Sequence, residues 1–267
     1  EKAGAKVIYS YEDKKVHTKL LCIDQSTSRE KRYLSYLSTG NFNSNTAKIY
    51  SDFALLTSDQ TFGTDIVELF RFFTGETKKP KFQELSVAPF ALRQKIVALI
   101  DTEIKAAKAG KSAMLTMKMN SLQDEDIIKR LYKASEAGVK IRLIIRGICS
   151  LVPGVKGLSE NIEIRSIVDR YLEHSRIYWS HSKNELYLSS ADMMTRNLNG
   201  RIEVAFIIKD PKISDLIKEI IQLQWSDNVK SRKINVRQSN PYYKGGTESL
   251  RSQYATYDLL SEKNKDG

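Results

Sequence analysis

The chain repeats itself, and the repeat restricts its possible folds more than any other feature. "KAGAKVIYSYEDKKVHTKLL" (2–21) closes a helix at Ala3-Gly4, runs a strand through Val7 to Tyr9, and reaches a second strand that carries His17. "EAGVKIRLIIRGI" (136–148) repeats the helix-end and strand signals, with Gly138 at the expected left-handed C′ position. "LEHSRIYW" (172–179) then repeats the histidine strand, with His174 and Arg176 where the first copy has His17 and Lys19. Downstream, Ser189-Ser190-Ala191-Asp192 answers Ser38-Thr39-Gly40-Asn41, and each copy enters an amphipathic helix, near 61–74 and 211–226. Alternating strands and helices in two copies predict an α/β protein of two homologous units.

The copies differ in completeness. The second is preceded by a strand "AMLTMKM" (113–119) and a helix from about Asp124 to Ala137, whereas the first shows only the last turn of the matching helix. The first unit is therefore expected to be truncated at its N-terminus. This organisation divides the chain into a partial first unit (1–76), a polar linker (77–84), a second unit (85–238) opening with a helix near 91–109, and a flexible tail (239–267).

Charge points to a phosphate-bearing partner. The formal net charge is +11, spread along the chain without a Lys/Arg tract, which favours phosphate ligands over a dedicated nucleic-acid segment. No nucleic-acid partner is expected. Apolar runs fall far short of the roughly 20 residues a membrane span needs, and two cysteines on separate apolar stretches fit reduced core thiols in a cytoplasmic protein. Association with a membrane surface is left open.

The histidines carry the chemistry. Residues two apart in a strand share a face, so His17 stands with Lys19 and His174 with Arg176. An imidazole beside a fixed cation is a poor core arrangement without an anion. A phosphate resolves it, with Lys19, Arg176 and the Asn41 side chain holding oxygens while an imidazole meets phosphorus. Only three histidines occur in the chain, and two of them take equivalent repeat positions. His181 falls opposite Asp24 in a polar turn and reads as a surface residue; Asp24 is open between a functional partner and a strand end. No metal-ligand spacing and no glycine-rich nucleotide loop is present.

H-x-K-x4-D at His17, Lys19 and Asp24, followed by the "TGN" turn, resembles the signature of the phospholipase D superfamily. "HTKLLCI", "YLSTGNFN", "TAKIYSDFALLTSD", "VAPFALRQKI", "MKMNSLQD", "AGVKIRLIIRGICSLVPGVKGLSENI" and "RSIVDRYLEHSRIY" through "SSADMMTRNLNGRIEV" are more specifically similar to the C-terminal catalytic half of the phosphohistidine-forming polyphosphate kinase family, over residues 1 to about 238. The resemblance implies two phospholipase D-like α/β domains that build one site, with ATP and inorganic polyphosphate as substrates. It implies His17 as the phosphorylated histidine and His174 as a second essential histidine at the nucleotide. Tyr50 would pack on adenine with Asp52 beside it, and Arg146 and Arg201 would meet the nucleotide phosphates. Family residues associated with Mg2+ fall before the position matching Glu1, so no residue here is assigned to a metal. The full-length family member is expected to be a homo-oligomer, and this chain alone is expected to be inactive. A phospholipase D-like phosphodiesterase and a non-catalytic polyanion-binding module are the competing readings.

Overall fold

The computed structural model describes residues 1–9 and 14–263. The first unit contains β1 (Lys15–Val16), β2 (Lys19–Asp24), β3 (Tyr33–Ser38), α1 (Ser44–Ala47), β4 (Tyr50–Ser51), β5 (Ala54–Thr57) and α2 (Gln60–Phe73). The second begins with β6 (Leu85–Ala88), α3 (Leu92–Lys108), β7 (Met114–Met119), α4 (Glu125–Glu136), β8 (Lys140–Ile145) and β9 (Ile162–Ile167). It continues with β10 (Leu172–Glu173), β11 (Arg176–Ser180), β12 (Glu185–Ser189), α5 (Thr195–Asn199), β13 (Arg201–Ile207) and α6 (Pro211–Ser226), then β14 (Ser231–Ile234) and α7 (Ser252–Lys263). The architecture is α/β, and the repeat is visible in it: β1, β2, β3, β4–β5 and α2 correspond in order to β10, β11, β12, β13 and α6. Asp59 and Asp210 cap α2 and α6 at matching positions, Asp59 accepting the Thr61 N–H and Asp210 those of Lys212 and Ile213.

In the second unit β7, β8 and β9 run parallel, while β11, β12 and β13 pair antiparallel, all within one nine-stranded sheet that also takes in β1, β6 and β14. Helices α3 and α4 cover one face. Ile127, Ile128, Leu131 and Ala134 of α4 fall at helical spacing and are buried there with Leu115, Met117 and Leu143 of the strands. Asp124 caps α4 by accepting the Ile127 N–H, and Gly138 ends the helix at φ +91° with the Val139 N–H bonded back to Ala134. The other face packs against α2 and α6, whose Phe62, Ile66, Leu69, Ile217 and Ile221 enclose Val204 and Phe206 of β13. That second core is shared between the units, so buried apolar surface contributes to holding them together.

The first unit has a three-stranded antiparallel sheet, β2-β3-β5. The expected strand at Val7 to Tyr9 is absent: residues 5–9 are exposed coil. Its counterpart β8 is held by parallel pairing to β7, and the described residues contain no first-unit equivalent of β7 to supply that ladder. Two strand segments pass between the units instead. β1 pairs parallel with β13 of the second unit, and β10 pairs parallel with β4 of the first.

The expected tail also differs. Residues 239–251 are mostly irregular, but 252–263 form α7, packed on α6 and pinned at its start, where the buried Asp227 carboxylate accepts the Ser252 N–H at 2.7 Å. Three further N–H groups, of Val229, Lys230 and Ser231, meet the same carboxylate. A weak apolar period hides such a helix from sequence reading, because its anchors are polar. Residues 264–267 of that segment lie outside the described residues. The linker is likewise tied down at its end: buried Asp65 of α2 accepts the N–H groups of Gln83, Glu84 and Leu85 at 2.8–3.0 Å. No helix of the described residues is long and apolar enough to cross a membrane.

Candidate active site

His17 and His174 each lie at a crossover between two strands, a refinement of the expected single-strand placement. His17 sits between β1 and β2, and its N–H donates to Ile202 O of β13. His174 sits between β10 and β11, with its N–H donating to Ser51 O of β4. Because the strand before each histidine pairs with the opposite unit, each imidazole is delivered to a carboxylate of the opposite unit. His17 Nδ1 lies 2.9 Å from Glu203 Oε2, and His174 Nδ1 lies 2.9 Å from both Asp52 carboxylate oxygens.

Each carboxylate is itself held by a hydroxyl of its own unit. Thr39 Oγ1 donates to Asp52 at 2.7 Å, and Ser190 Oγ donates to Glu203 Oε2 at 2.5 Å. Asn197 Nδ2 donates to the other Glu203 oxygen at 2.7 Å. Glu203 is fully buried. Gly40 allows the close approach on the first-unit side, since a Cβ there would fall 2.5 Å from Asp52 Oδ2. Two hydroxyl–carboxylate–imidazole relays therefore cross the interface in opposite directions. Glu203 was not among the sequence candidates. The signal for it exists: "YSDFALLTSD" aligned on "RIEVAFIIKD" sets Glu203 opposite Asp52.

A carboxylate only accepts, so Nδ1 carries the proton in both rings and Nε2 carries the lone pair. Here the symmetry breaks. Arg176 Nη1 lies 3.1 Å from His174 Nε2 and donates to it, and also donates to His174 O at 2.7 Å. His17 Nε2 has no hydrogen-bond partner among the described residues. Burial, reinforced by Arg176 and Lys19 and opposed by Asp52, lowers the pKa of His174. Burial pushes Asp52 upward, but His174, Thr39 and Arg176 outweigh it and hold the carboxyl below its ordinary range.

The cations divide in the same way. Arg176, expected at phosphate, is engaged by Asp192 at 3.0 and 3.3 Å and by His174, so it supports the second histidine. Asp192 stands where the first unit has neutral, exposed Asn41, and buried Lys19 accordingly has no carboxylate ion-pair partner among the described residues. Its ammonium donates to His17 O. Burial, with repulsion from Arg176 and Lys15 and partial offset by Glu203 and Asp52, lowers the Lys19 pKa to about 8.

Arg146 is anchored through Nε alone, to Asn120 Oδ1 at 2.7 Å and Glu173 O at 2.5 Å, leaving its two terminal nitrogens for an anion. Arg201 opens β13 in register with Lys15, and its side chain makes no ion pair among the described residues. The Tyr50 ring lies 4.7 Å from the His174 ring and, with Gly40, Asn41 and Asp52, lines a cavity of about 240 Å³.

Two residues left aside by this geometry take defined places, one resolving an open reading and one correcting an expected surface position. Asp24 is exposed at the end of β2, where its carboxylate accepts the Ser26 N–H, so it closes a turn away from His17. His181 is half-buried rather than a plain surface residue: it stacks on Trp179 at 3.5 Å and bonds Thr116 Oγ1, and burial lowers its pKa to about 4.

The described residues gather no three His, Cys, Asp or Glu side chains as a metal site. Asp52, Glu203 and Asp192 are committed to His174, His17 and Arg176, so the set present does not fit Mg2+.

Residues 1–79 match the family described as Polyphosphate kinase C-terminal domain 1, and residues 85–253 match Polyphosphate kinase C-terminal domain 2. The polyphosphate kinase of Vibrio parahaemolyticus is 46% identical over 266 residues, 98% of this chain and 38% of that protein. The crystal structure of polyphosphate kinase from Porphyromonas gingivalis superposes with a TM-score of 0.94 at 40% identity, covering 100% of this chain and 42% of that one. Phosphatidylserine synthase of Haemophilus influenzae matches at a TM-score of 0.51 and 10% identity over 88% of this chain and 69% of its own, a likeness of fold alone. The chain thus spans about two fifths of the length of the polyphosphate kinases it matches. With both domains matched in order and the paired histidines at their junction, the chain belongs to the polyphosphate kinase family.

Proposed function

We propose that these two units form the phosphoryl-transfer centre of an ATP:polyphosphate phosphotransferase, with His17 as the nucleophile. The observation that carries the proposal is the inequality of the histidines: both are held as Nδ1–H tautomers, but among the described residues only His17 keeps its Nε2 lone pair unengaged. Nε2 attacks the γ-phosphorus of ATP, the Nε2–P bond forms as the bond to the β,γ-bridging oxygen breaks, and that oxygen leaves with the electron pair on ADP. A terminal oxygen of polyphosphate then attacks the phosphohistidine, and the N–P pair returns to the ring. Glu203 holds the positive charge that the ring acquires in between.

Lys19, Arg146 and Arg201, the cations without carboxylate partners, neutralise the transferring group, and Tyr50 offers a face for adenine. His174 is neutral near neutral pH by its lowered pKa and acts as a hydrogen-bonding group or base at the nucleotide. Mg2+ bound to the ATP phosphates would add to the charge neutralisation supplied by Lys19, Arg146 and Arg201, and the full-length protein is expected to be a homo-oligomer. A cytoplasmic protein meets both substrates.

Incubation of the full-length protein with γ-labelled ATP is expected to place acid-labile, base-stable label on His17, lost in His17→Ala. Hydrolysis of a phosphodiester without nucleotide use would overturn the proposal in favour of a phospholipase D-like phosphodiesterase. Polyphosphate binding without any label or turnover would leave a polyanion-binding module.

Lys19 gives the reaction a basic limb. Its ammonium is charged below about pH 8 and neutral above, so kcat/KM for polyphosphate is expected to fall through that range, about tenfold per pH unit at the limit. The stability contribution has the opposite sign. Between about 8 and the ordinary 10.5 the unfolded chain binds the extra proton, so stability rises with pH there. Lys19→Met should flatten both trends, and a basic limb unchanged in that variant assigns the titration elsewhere.

A further inference from the structure

The two exchanged strands are unequally supported. β1 joins a nine-stranded sheet, whereas β10 pairs only with β4, over two residues each. A two-strand ladder this short is not stable by itself. Yet it bears most of the nucleotide-side residues: Tyr50 lies in β4 opposite Leu172, His174 follows β10 directly, and Arg146 Nε donates to Glu173 O.

Beside the Lys118 and Gln224 contacts to Glu173, support for the backbone of this ladder comes from α7. The Gln253 side-chain amide pairs with the backbone of Tyr171 as a neighbouring strand would: its Oε1 accepts the Tyr171 N–H at 2.9 Å, and its Nε2 donates to Tyr171 O at 2.8 Å. Nε2 also donates to Glu173 Oε1 at 2.8 Å. Gln253 is held in turn by its neighbours in sequence. Arg251 makes a two-point ion pair with Asp169 at 2.5 and 2.9 Å, and the Ser252 N–H binds buried Asp227.

We infer that Gln253 is a positioning residue for the nucleotide, acting through residues 171–174 as a surrogate third strand beside β10. The inference rests on the reading that Tyr50, Arg146 and His174 serve ATP. His17 stands on the β1–β13 ladder, which Gln253 does not touch, so the amide governs how ATP is seated and leaves the acceptor side alone.

The test uses the full-length protein with steady-state kinetics of polyphosphate synthesis. Gln253→Met keeps the length of the side chain and removes all three bonds. It is expected to raise KM for ATP about tenfold, the effect of roughly one net hydrogen bond, with kcat within about threefold and KM for polyphosphate unchanged. Gln253→Glu sets a carboxylate against Glu173 Oε1 and Tyr171 O. Its defect should exceed that of the methionine variant and shrink as pH falls toward about 6, a charge-dependent order that loss of packing alone does not produce. Thermal unfolding of both variants reports folding separately. An ATP KM unchanged in both folded variants, or a fall in kcat with KM unchanged, overturns the inference. A wild-type protein that makes no phosphohistidine instead defeats the functional reading on which it rests.

Discussion

Replacing Glu203 by alanine is expected to slow phosphoryl uptake by His17 on the order of a thousandfold, the range seen when an orienting carboxylate or acid–base partner is lost. Three bonds converge on this buried carboxylate, from His17, Ser190 and Asn197. Without it the imidazole is free to change tautomer, and the Ser190 and Asn197 donors lose their acceptor at a cost of about 1–3 kcal/mol each. Glu203→Gln should be far milder, roughly tenfold to a hundredfold. Asn197 Oδ1 is buried without a partner among the described residues, so the Asn197 amide can turn over and accept from the introduced NH2 group. The introduced carbonyl then still receives the proton of His17 Nδ1. Only the negative charge that balances the phosphorylating ring is lost. Single-turnover labelling from γ-labelled ATP measures both rates, and an alanine variant within tenfold of wild type would remove Glu203 from the reaction.

The largest effect on stability is expected at Lys118. Its ammonium and the Glu173 carboxylate are 2% and 3% exposed and lie 2.6 Å apart directly behind His174, with Ser175 Oγ accepting a second bond from the lysine. Lys118→Met keeps the volume but leaves the carboxylate buried with only neutral donors from Gln224, Gln253 and Ser51. Removing one partner of such a pair costs about 3–5 kcal/mol. Neutralising the stranded charge as well, in Lys118→Met with Glu173→Gln, should restore a large part of that loss. Urea unfolding of the wild type and both variants measures the differences; a single variant as stable as the wild type would show that the Lys118 charge contributes nothing to holding β10.

Local signals in the sequence were strong where a residue's own neighbours decide its state. Asp124 and Gly138 mark the two ends of α4 because cap chemistry is written within four residues, and the equivalence of His17 and His174 follows from repeat spacing alone. Site residues that depend on the other unit were harder to read. Glu203 looks like an awkward charge inside an apolar strand until β1 lies beside β13 and brings His17 over it. Arg176 reads as a phosphate ligand by analogy with Lys19, and only the change from Asn41 to Asp192, just past the end of the neighbouring strand β12, withdraws its charge. The helix α7 escaped notice because polar anchors, Asp227 and Asp169, fix its start in place of an apolar stripe.

The reciprocal passage of β1 and β10 has a consequence for how such a centre acquires direction. A single unit associating with its own copy about a twofold axis would trade the same strand segments, and both imidazoles would then be chemically identical. Joined in one polypeptide, the two halves are free to diverge by point substitution: lysine against arginine at positions 19 and 176, asparagine against aspartate at 41 and 192, tyrosine against arginine at 50 and 201. On the proposed reading, such differences leave one histidine to receive a group and the other to steer it. On that reading, covalent fusion converts a site that could only be ambidextrous into one with a receiving hand and a guiding hand.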